Sequence, residues 1–117
     1  MPARLRYTTE MTDRYEIHMF SAVAEAGPAS GYPPGEQHPM LIFVRQAPDS
    51  AHDLAAAAAC AMRAGWTEVD ITRAGTLPPD AHASMEEPVL GAYRGAVERG
   101  AELTVFAAVV KAAPRKG

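Results

Sequence analysis

The segment from residue 39 to residue 73 constrains the fold most, because a buried strand, a helix and a second strand follow one another in it. An unbroken apolar run at 40–44 is typical of a strand that is covered on both faces. Residues 51–64 are mostly strong helix formers, and Gly65 stands where a left-handed residue ends a helix. Residues 66–73 then alternate in polarity. The segment therefore predicts a strand–helix–strand unit, to which the rest of the chain adds.

The helix of this unit has an unusually small outer surface. Ser50 and Asp53 form a Ser-x-x-Asp approximation to a capping box at its start. A 100° step per residue predicts an inward face made of Ala51, Leu54, Ala58, Ala61 and Met62. The predicted outward face consists of Ala56, Ala59, Cys60 and Arg63. This smooth face reflects either an alanine-rich composition or a surface that a partner approaches closely.

Two more strands and a second helix surround the central unit. Residues 14–24 alternate in polarity, which is typical of a half-exposed first strand. A capping box at Ser84, or alternatively Pro88 as the first helical residue, starts a helix that Gly100 ends. Residues 103–110 are apolar on both faces, so they predict a last strand that is paired and covered.

The order β-β-α-β-α-β predicts an α/β (α+β) two-layer sandwich with a mixed four-stranded sheet. Strand order 1-2-3-4 places both helices mainly on one face, whereas 1-2-4-3 places them on opposite faces. The polar third strand favours the first order, which leaves the other face of the sheet open. That open face would present Glu16, His18, Phe20, Glu68, Asp70, Thr104, Phe106 and Ala108.

Residues 14–110 are expected to form a single domain between two terminal segments. Residues 1–13 predict a flexible lead-in, and 111–117 predict a basic tail. Two long loops rich in Gly and Pro, 26–38 and 74–83, interrupt the domain. Each is either a functional flap or an insertion of no consequence.

Composition indicates a cytoplasmic, soluble protein. The chain has 117 residues of which 48% are apolar, enough for one core without disulfides or metal. Its single cysteine, Cys60, has no intramolecular partner, and no zinc-ligand pattern occurs. No signal sequence is recognisable, and no apolar stretch approaches the roughly 18 residues of a membrane span.

The charge distribution argues against nucleic acid as a partner. The net charge is −3, yet residues 7–110 hold six Lys or Arg against fourteen Asp or Glu, a difference of −8. Such an acidic body repels phosphate backbones, and no basic stripe interleaved with aromatic residues is present.

Polar side chains gather after two strands that a crossover helix should make parallel. Arg45, Asp49 and His52 follow the second strand, while Arg73, Asp80 and His82 follow the third. Ligands bind at the carboxyl ends of parallel strands, so these six residues are the candidate ligand-binding site. They could serve as general acids and bases or as oxygen and nitrogen metal ligands. His18 and His38 are expected to lie outside this cluster.

No established catalytic pattern supports an enzyme. The HExxH, GxSxG, Walker and GxGxxG patterns are all absent. Cys60 lies deep in the helix, where nothing lowers its pKa enough to make it a nucleophile. We therefore expect no catalytic residue, no metal and no cofactor, and we lean against an enzyme.

The leading functional hypothesis is a non-catalytic binding or assembly module, or an inhibitor-type protein, that self-associates. An apolar sheet face and an apolar last strand predict a homodimer, with a different protein as a further partner. The candidate interface residues are Phe20, Gly91, Gly95, Phe106 and Ala108. The alternative is a small-ligand-binding protein or an enzyme with its site at the carboxyl ends of the parallel strands.

Overall fold

A four-stranded antiparallel sheet and two helices make up the α+β fold of this protein. The structure is a computed structural model that describes residues 15–110, so the predicted lead-in 1–13 and tail 111–117 lie outside the described residues. The strands are β1 (Glu16–Ala26), β2 (Gln37–Gln46), β3 (Trp66–Thr76) and β4 (Ala101–Val105). The helices are α1 (Leu54–Arg63) and α2 (Val89–Arg99), with a short 3-10 helix at Ala81–Ser84 before α2.

The strand order is β3-β1-β2-β4, and each pair of neighbours is antiparallel. The predicted hairpin between the first two strands is present, but the mixed sheet and both predicted strand orders are wrong. The hairpin occupies the centre, where its apolar strands are covered from both sides. The polar strand β3 and the short strand β4 then take the edges, where β3 exposes most of its side chains to water.

The helices lie on opposite faces of the sheet, which corrects the predicted two-layer arrangement. Helix α1 packs on the face formed by even-numbered residues of the hairpin, such as Phe20 and Ile42. Helix α2 packs on the odd-numbered side chains, such as Ile17 and Phe43. Successive side chains of a strand point to opposite faces, so the two clusters define two separate layers of core. The expected open face with His18 and Phe20 is therefore buried under α1.

Helix α1 is rotated relative to its predicted orientation. Ala57, Cys60 and Ala61 are buried, whereas Leu54 is 53% exposed and Met62 is 61% exposed. Nearly every residue of the helix is apolar, so the sequence carries little contrast between its two faces. The small buried side chains allow α1 to lie close to the sheet.

Helix α1 begins at Leu54, later than the capping box at Ser50 predicts, whereas the predicted left-handed glycine follows its end. Asp53 is the N-cap, and its carboxylate accepts a hydrogen bond of 2.9 Å from the backbone N–H of Ala56. Gly65 has φ of 99°, and a Cβ there would come within 2.5 Å of the backbone of Ala29. A non-glycine residue would therefore strain the backbone and displace the first loop.

The first long loop is tied to the core along its length. Strands β1 and β2 extend further than predicted, so the connection spans 27–36. The backbone N–H of Gly27 donates to the carbonyl of Gly65, and the Tyr32 ring packs against Trp66 with centroids 5.3 Å apart. The loop thus closes one end of the core.

The last strand is shorter than predicted and ends at Val105. Beyond it, the backbone N–H groups of Phe106 and Val110 still donate to β2, at Pro39 and Gln37 respectively. Side chains 107–110 are exposed. Within the described residues 15–110, neither helix is long and apolar enough to cross a membrane.

Candidate functional site

The candidate site lies at the end of the sheet where β1 begins and where β2 and β3 end. Glu16 is opposite Gln46 on one side of β1, and His18 is opposite Thr76 on the other. The loops that follow β2 and β3 therefore start at the same end of the sheet. This agrees with the predicted convergence, although the two strands are separated by β1.

Glu16 and His18 form a pair on β1 because residues two apart in a strand share a face. Oε1 of Glu16 lies 3.0 Å from Nε2 of His18. The His18 side chain is completely buried, whereas the Glu16 side chain remains 26% exposed. The pair thus joins the core beneath α1 to the end of the sheet.

His52 extends the pair to the protein surface. Its Nδ1 lies 2.9 Å from Nδ1 of His18, and the two rings meet edge to face with centroids 4.6 Å apart. His52 is exposed, and its ring also meets the edge of Phe20. A continuous hydrogen-bonded path therefore runs from the Glu16 carboxylate through a buried imidazole to an exposed one.

The loop before α1 is folded so that it holds both ends of this path. The side-chain amide of Gln46 donates to the carbonyl of Ala51, and its oxygen accepts from the backbone N–H of Asp53. Asp49 adopts a φ of 61°, a conformation that asparagine and aspartate tolerate better than most residues. Its backbone N–H then donates to Oε1 of Glu16 at 3.1 Å. Asp49 and Asp53 thus have structural roles in shaping the loop.

The electrostatic surroundings favour the ionised form of Glu16. The hydrogen bond from His18 lowers the pKa of this carboxyl group most, and partial burial opposes that effect. The backbone N–H of Asp49 lowers the pKa further, as do the charges of the two histidines. Glu16 is therefore a carboxylate near neutral pH, and it accepts hydrogen bonds.

A cleft of about 300 Å³ opens beside Glu16 on the α2 side of the sheet. The start of β1, the loops after β2 and β3, and helix α2 all contribute to its wall. Its lining is mostly apolar and aromatic and consists of Tyr15, Glu16, Ile17, Pro48, Leu77, Pro78, Pro79 and Tyr93. Among these side chains Glu16 is the one with a charge.

Tyr93 connects the cleft to a shallower depression on the surface of α2. Its ring meets Phe43 edge to face and stacks on His82 with an interplanar angle of 18°. Burial raises the pKa of the Tyr93 phenol, with a smaller contribution from Tyr15. The depression is lined by Tyr15, His82, Tyr93, Arg94, Val97 and Glu98. An apolar cleft is thus bordered by Glu16 at one side and by polar groups of α2 at the other.

The six predicted ligand-binding residues do not form one cluster. Arg45 donates to the carbonyl of Val97 near the end of α2, and so it stabilises that helix. His52 joins the buried pair on the α1 side, while His82 stacks on Tyr93 on the α2 side. Arg73 and Asp80 are exposed, on β3 and before the 3-10 helix. The two loops leave the same sheet end and both line the cleft, but His52 lies on the α1 side of the sheet and His82 on the α2 side.

The predicted interface residues are also dispersed. Phe20 is fully buried in the core, so it cannot form part of a surface. Phe106 is half-buried, and Ala108 and Gly91 are exposed. Gly95 is buried against the chain itself, because a Cβ there would lie 2.8 Å from the Glu102 side chain. At Gly95, helix α2 thus packs closely against β4.

The site offers acid–base groups rather than a metal-ligand set. No group of three or more His, Cys, Asp or Glu side chains within residues 15–110 is arranged to hold a metal ion. Burial raises the pKa of the Cys60 thiol, partly offset by Arg63, so the thiol is a poor nucleophile near neutral pH.

Comparisons with protein-family models, curated proteins and solved structures give no match for this chain.

Sequence reasoning missed the two central residues of the site. The alternation of the first strand and the predicted strand order put Glu16 and His18 on the open face of the sheet. The Glu-x-His spacing at the start of a strand was the available signal, since it places a carboxylate and an imidazole side by side on one face. Pairing in the hairpin then brings that face to the end of β2, where His52 follows.

Proposed function

We propose that this protein binds a small molecule in the cleft beside Glu16. The observation that carries the proposal is the carboxylate of Glu16, whose Oε1 accepts two hydrogen bonds. The donors are Nε2 of His18 and the backbone N–H of Asp49. A carboxylate held in this way at the edge of an apolar cleft is preorganised to accept a hydrogen bond from a ligand.

The lining of the cleft defines the class of ligand. A volume of about 300 Å³ is at the small end of ligand pockets, so it suits a compact molecule. Tyr15, Tyr93 and the prolines favour a planar or aromatic body. Glu16 favours a cation or a neutral hydrogen-bond donor at one end of that body. An aromatic or cyclic amine has both features.

Two probes that differ in charge test the proposal. We expect phenethylamine to shift the NMR signals of Leu77 and Tyr93, and phenylacetate to shift them less at the same concentration. Glu16→Gln should weaken phenethylamine binding by about tenfold, since it removes a charge-assisted hydrogen bond worth roughly 1.5 kcal/mol or more.

Glu25→Gln is the matched control, because it removes a carboxylate from the same strand at the opposite end of the sheet. It should leave phenethylamine binding unchanged. The proposal fails if neither probe shifts a signal from the cleft at millimolar concentration, or if Glu16→Gln binds phenethylamine as well as the unmodified protein does.

A second function, self-association through α1, is favoured by a separate observation. The outer face of this helix consists of Leu54, Ala55, Ala58, Ala59 and Met62. Leu54 and Met62 are the two large apolar side chains on the helices and strands of residues 15–110 that are more than half exposed. Alanines between them permit close approach of another helix. We propose that the partner on this face is a second copy of the chain.

Charges at the ends of α1 favour an antiparallel pair. Asp53 precedes the helix and Arg63 ends it, and both are exposed. A two-fold axis through the middle of the helix brings Asp53 of each copy near Arg63 of the other. Leu54 then lies near the second copy's Met62. Because α1 is only about 15 Å long, it buries less than the roughly 800 Å² per partner of a standard interface, and the dimer should be weak.

Sedimentation velocity over a range of concentrations tests this second function. We expect a monomer–dimer equilibrium that Ala55→Glu abolishes, because each new carboxylate is placed in the apolar contact, next to the second copy's Met62. Ala83→Glu, at an exposed position before α2, is the control and should dimerise normally. A monomer at every concentration up to about 1 mM, a value in the range of weak affinities, contradicts self-association.

A further inference from the structure

Glu16 lines the cleft and is also hydrogen-bonded to the buried His18, which in turn contacts His52. Oε1 of Glu16 contacts Nε2 of His18 at 3.0 Å, and Nδ1 of His18 contacts Nδ1 of His52 at 2.9 Å. Both distances are within the normal range for hydrogen bonds. Each contact therefore holds one hydrogen, and the hydrogens must be ordered along the path.

We propose that Glu16, His18 and His52 form a proton relay between the cleft and the solvent on the α1 side of the sheet. The inference deepens the proposed function, on which it rests: the site exchanges a proton with its ligand as well as binding it. The ligand class is then a molecule with a dissociable proton on nitrogen or oxygen.

The order of hydrogens follows from the ionised state of Glu16. The carboxylate can only accept, so Nε2 of His18 carries a hydrogen. In the neutral ring Nδ1 of His18 is then an acceptor, and Nδ1 of His52 donates to it. This leaves the lone pair of Nε2 of His52 directed away from the pair, on an exposed side chain.

Proton transfer along this path is balanced at every step. A proton from solvent binds Nε2 of His52, and the Nδ1 hydrogen of His52 moves to Nδ1 of His18. The Nε2 hydrogen of His18 then moves to Oε1 of Glu16. One proton has entered, one carboxylate has become a carboxylic acid, and both imidazoles are neutral again. The inward transfer leaves hydrogens on Nδ1 of His18 and on Nε2 of His52. From these tautomers the reverse sequence carries a proton from Glu16 to solvent and restores the original order of hydrogens.

Burial confines the proton to this path. His18 is completely buried between α1 and the sheet, so its nitrogens reach solvent only through their two partners. Asp49 faces Glu16 with its backbone N–H, and the Asp53 carboxylate is engaged at the start of α1. Val44 and Thr76, the neighbours of His18 on β2 and β3, do not titrate. No arginine or lysine within residues 15–110 hydrogen-bonds to the relay.

The histidine pair can hold one hydrogen between its Nδ1 atoms but not two. Two N–H groups would point at each other across 2.9 Å, so full protonation of both rings must separate them. Only one of the two rings can therefore carry a hydrogen on Nδ1 while this contact is kept.

The test is a pH titration of the imidazole ¹⁵N signals of the full chain between about pH 5 and pH 8. We expect hydrogens on Nε2 of His18 and on Nδ1 of His52 at the upper end of the range. We expect the two rings to take up their first proton in one shared transition. Glu16→Gln should change this transition, because the carboxylate that accepts the Nε2 hydrogen of His18 is gone.

Two further variants separate the relay from a merely structural contact. His52→Gln retains hydrogen-bonding capacity but cannot pass a proton on, so His18 should no longer change its protonation across the range. His82→Gln removes an exposed histidine at the same end of the sheet, outside the relay, and should leave the signals of His18 and His52 unchanged. Thermal unfolding of each variant shows whether the fold is retained. The same spectra of the unmodified protein test the hydrogen positions even where a variant does not fold.

The relay is contradicted if His18 and His52 titrate independently, if Nδ1 of His52 carries no hydrogen, or if Glu16→Gln leaves both curves in place. These outcomes are distinct from failure of the proposed function. A coupled titration in a protein that binds neither probe overturns ligand binding and supports the relay. Binding of phenethylamine with independent histidine titrations overturns the relay and supports ligand binding.

Discussion

Each end of the sheet contains a buried histidine paired with the glutamate two residues before it in sequence, yet the two pairs end in different groups. His18 contacts Glu16 and the exposed His52. His38 contacts Glu36 at 3.0 Å and the backbone carbonyl of Phe106 at 3.0 Å. A carbonyl only accepts, whereas an imidazole can donate or accept. The His38 pair therefore ends inside the protein, and we call it the closed pair. The His18 pair, which we call the open pair, continues through His52 to the surface.

The closed pair is suited to holding the fold together. His38 has an acceptor at each ring nitrogen, and both are satisfied when both nitrogens carry hydrogens. Its ring also packs against Tyr32 and Trp66, with centroids 4.7 Å and 5.7 Å away. The comparison shows that the same two residue types, at the same spacing and burial, acquire different chemistry from the third group in contact.

The largest effect is expected when the closed pair is broken. His38→Ala leaves the Phe106 carbonyl and the Glu36 carboxylate without their partner, and it opens a cavity beside Trp66. We expect a loss of about 3 kcal/mol in the free energy of unfolding, measured by urea denaturation. His82→Ala, at an exposed position, should change it by less than about 0.5 kcal/mol. Equal effects of the two substitutions would contradict a structural role for His38.

A substitution at Gly65 should destabilise the end of the sheet that contains the closed pair and leave the end with the open pair unchanged. Gly65→Ala places a methyl group against Ala29 at a positive φ, which should cost about 2 kcal/mol. Because the 27–36 loop is displaced, amide hydrogen exchange should accelerate around Tyr32. Exchange around His52 should remain at the rate of the unmodified protein. Uniform acceleration over the whole chain would show that the two ends do not act separately.

The open end should give the protein a dependence of stability on acid pH. The pKa of Glu16 is lowered in the folded state, so its contribution to stability is fully present above its ordinary pKa of 4.5. That contribution is lost as the pH falls through the lowered value. We expect the Glu16→Gln variant to lose less stability than the unmodified protein between neutral pH and about pH 3, by urea denaturation at each pH. An identical pH dependence of the two proteins would show that Glu16 gains nothing from His18.

The smallest effect on stability is expected for the exposed end of the relay. His52→Gln should lower the free energy of unfolding by no more than about 1 kcal/mol, since one partly exposed hydrogen bond is altered. The same substitution should nevertheless remove the coupled titration of His18. A loss comparable to that of His38→Ala would mean that His52, like His38, serves mainly to stabilise the fold.

Local features of the fold were predictable because local interactions determine them. Gly65 ends α1 through a left-handed backbone, as its position in the sequence predicts. The predicted capping box lies at the right turn of the chain, although Asp53 and not Ser50 is the N-cap. The apolar run of β2 and the alternation of β1 also identified the central hairpin. These elements need no knowledge of the rest of the chain.

Strand order and helix orientation were not predictable, because they depend on contacts between distant segments. Strand β3 reaches the free edge of β1, so neither predicted order holds. Helix α1 is apolar almost all round, so nothing in its sequence distinguished Ala57 from Leu54 as the buried residue. Both errors concern packing between segments that are distant in sequence: which strand pairs with β1, and which face of α1 contacts the sheet.

The site was half predictable. The loops that carry His52 and His82 start from one end of the sheet, as expected. His52 lies on the α1 face of the sheet, however, and His82 on the α2 face. The polarity of Glu16 and His18 suggested contact with water, whereas hydrogen bonds to each other and to His52 allow His18 to be buried. A buried polar pair cannot be distinguished from two exposed polar residues until its partner is known.

A long-range ¹H–¹⁵N spectrum of the unmodified protein near neutral pH tests the difference between the two pairs most directly, because it shows which imidazole nitrogens carry hydrogen. We expect a hydrogen on Nδ1 of His38, which faces the carbonyl of Phe106, and a hydrogen on Nε2 but not on Nδ1 of His18, with the hydrogen between the two rings on Nδ1 of His52. The same protonation pattern at His18 and His38 would contradict the account, since the two ends of the sheet would then be chemically alike.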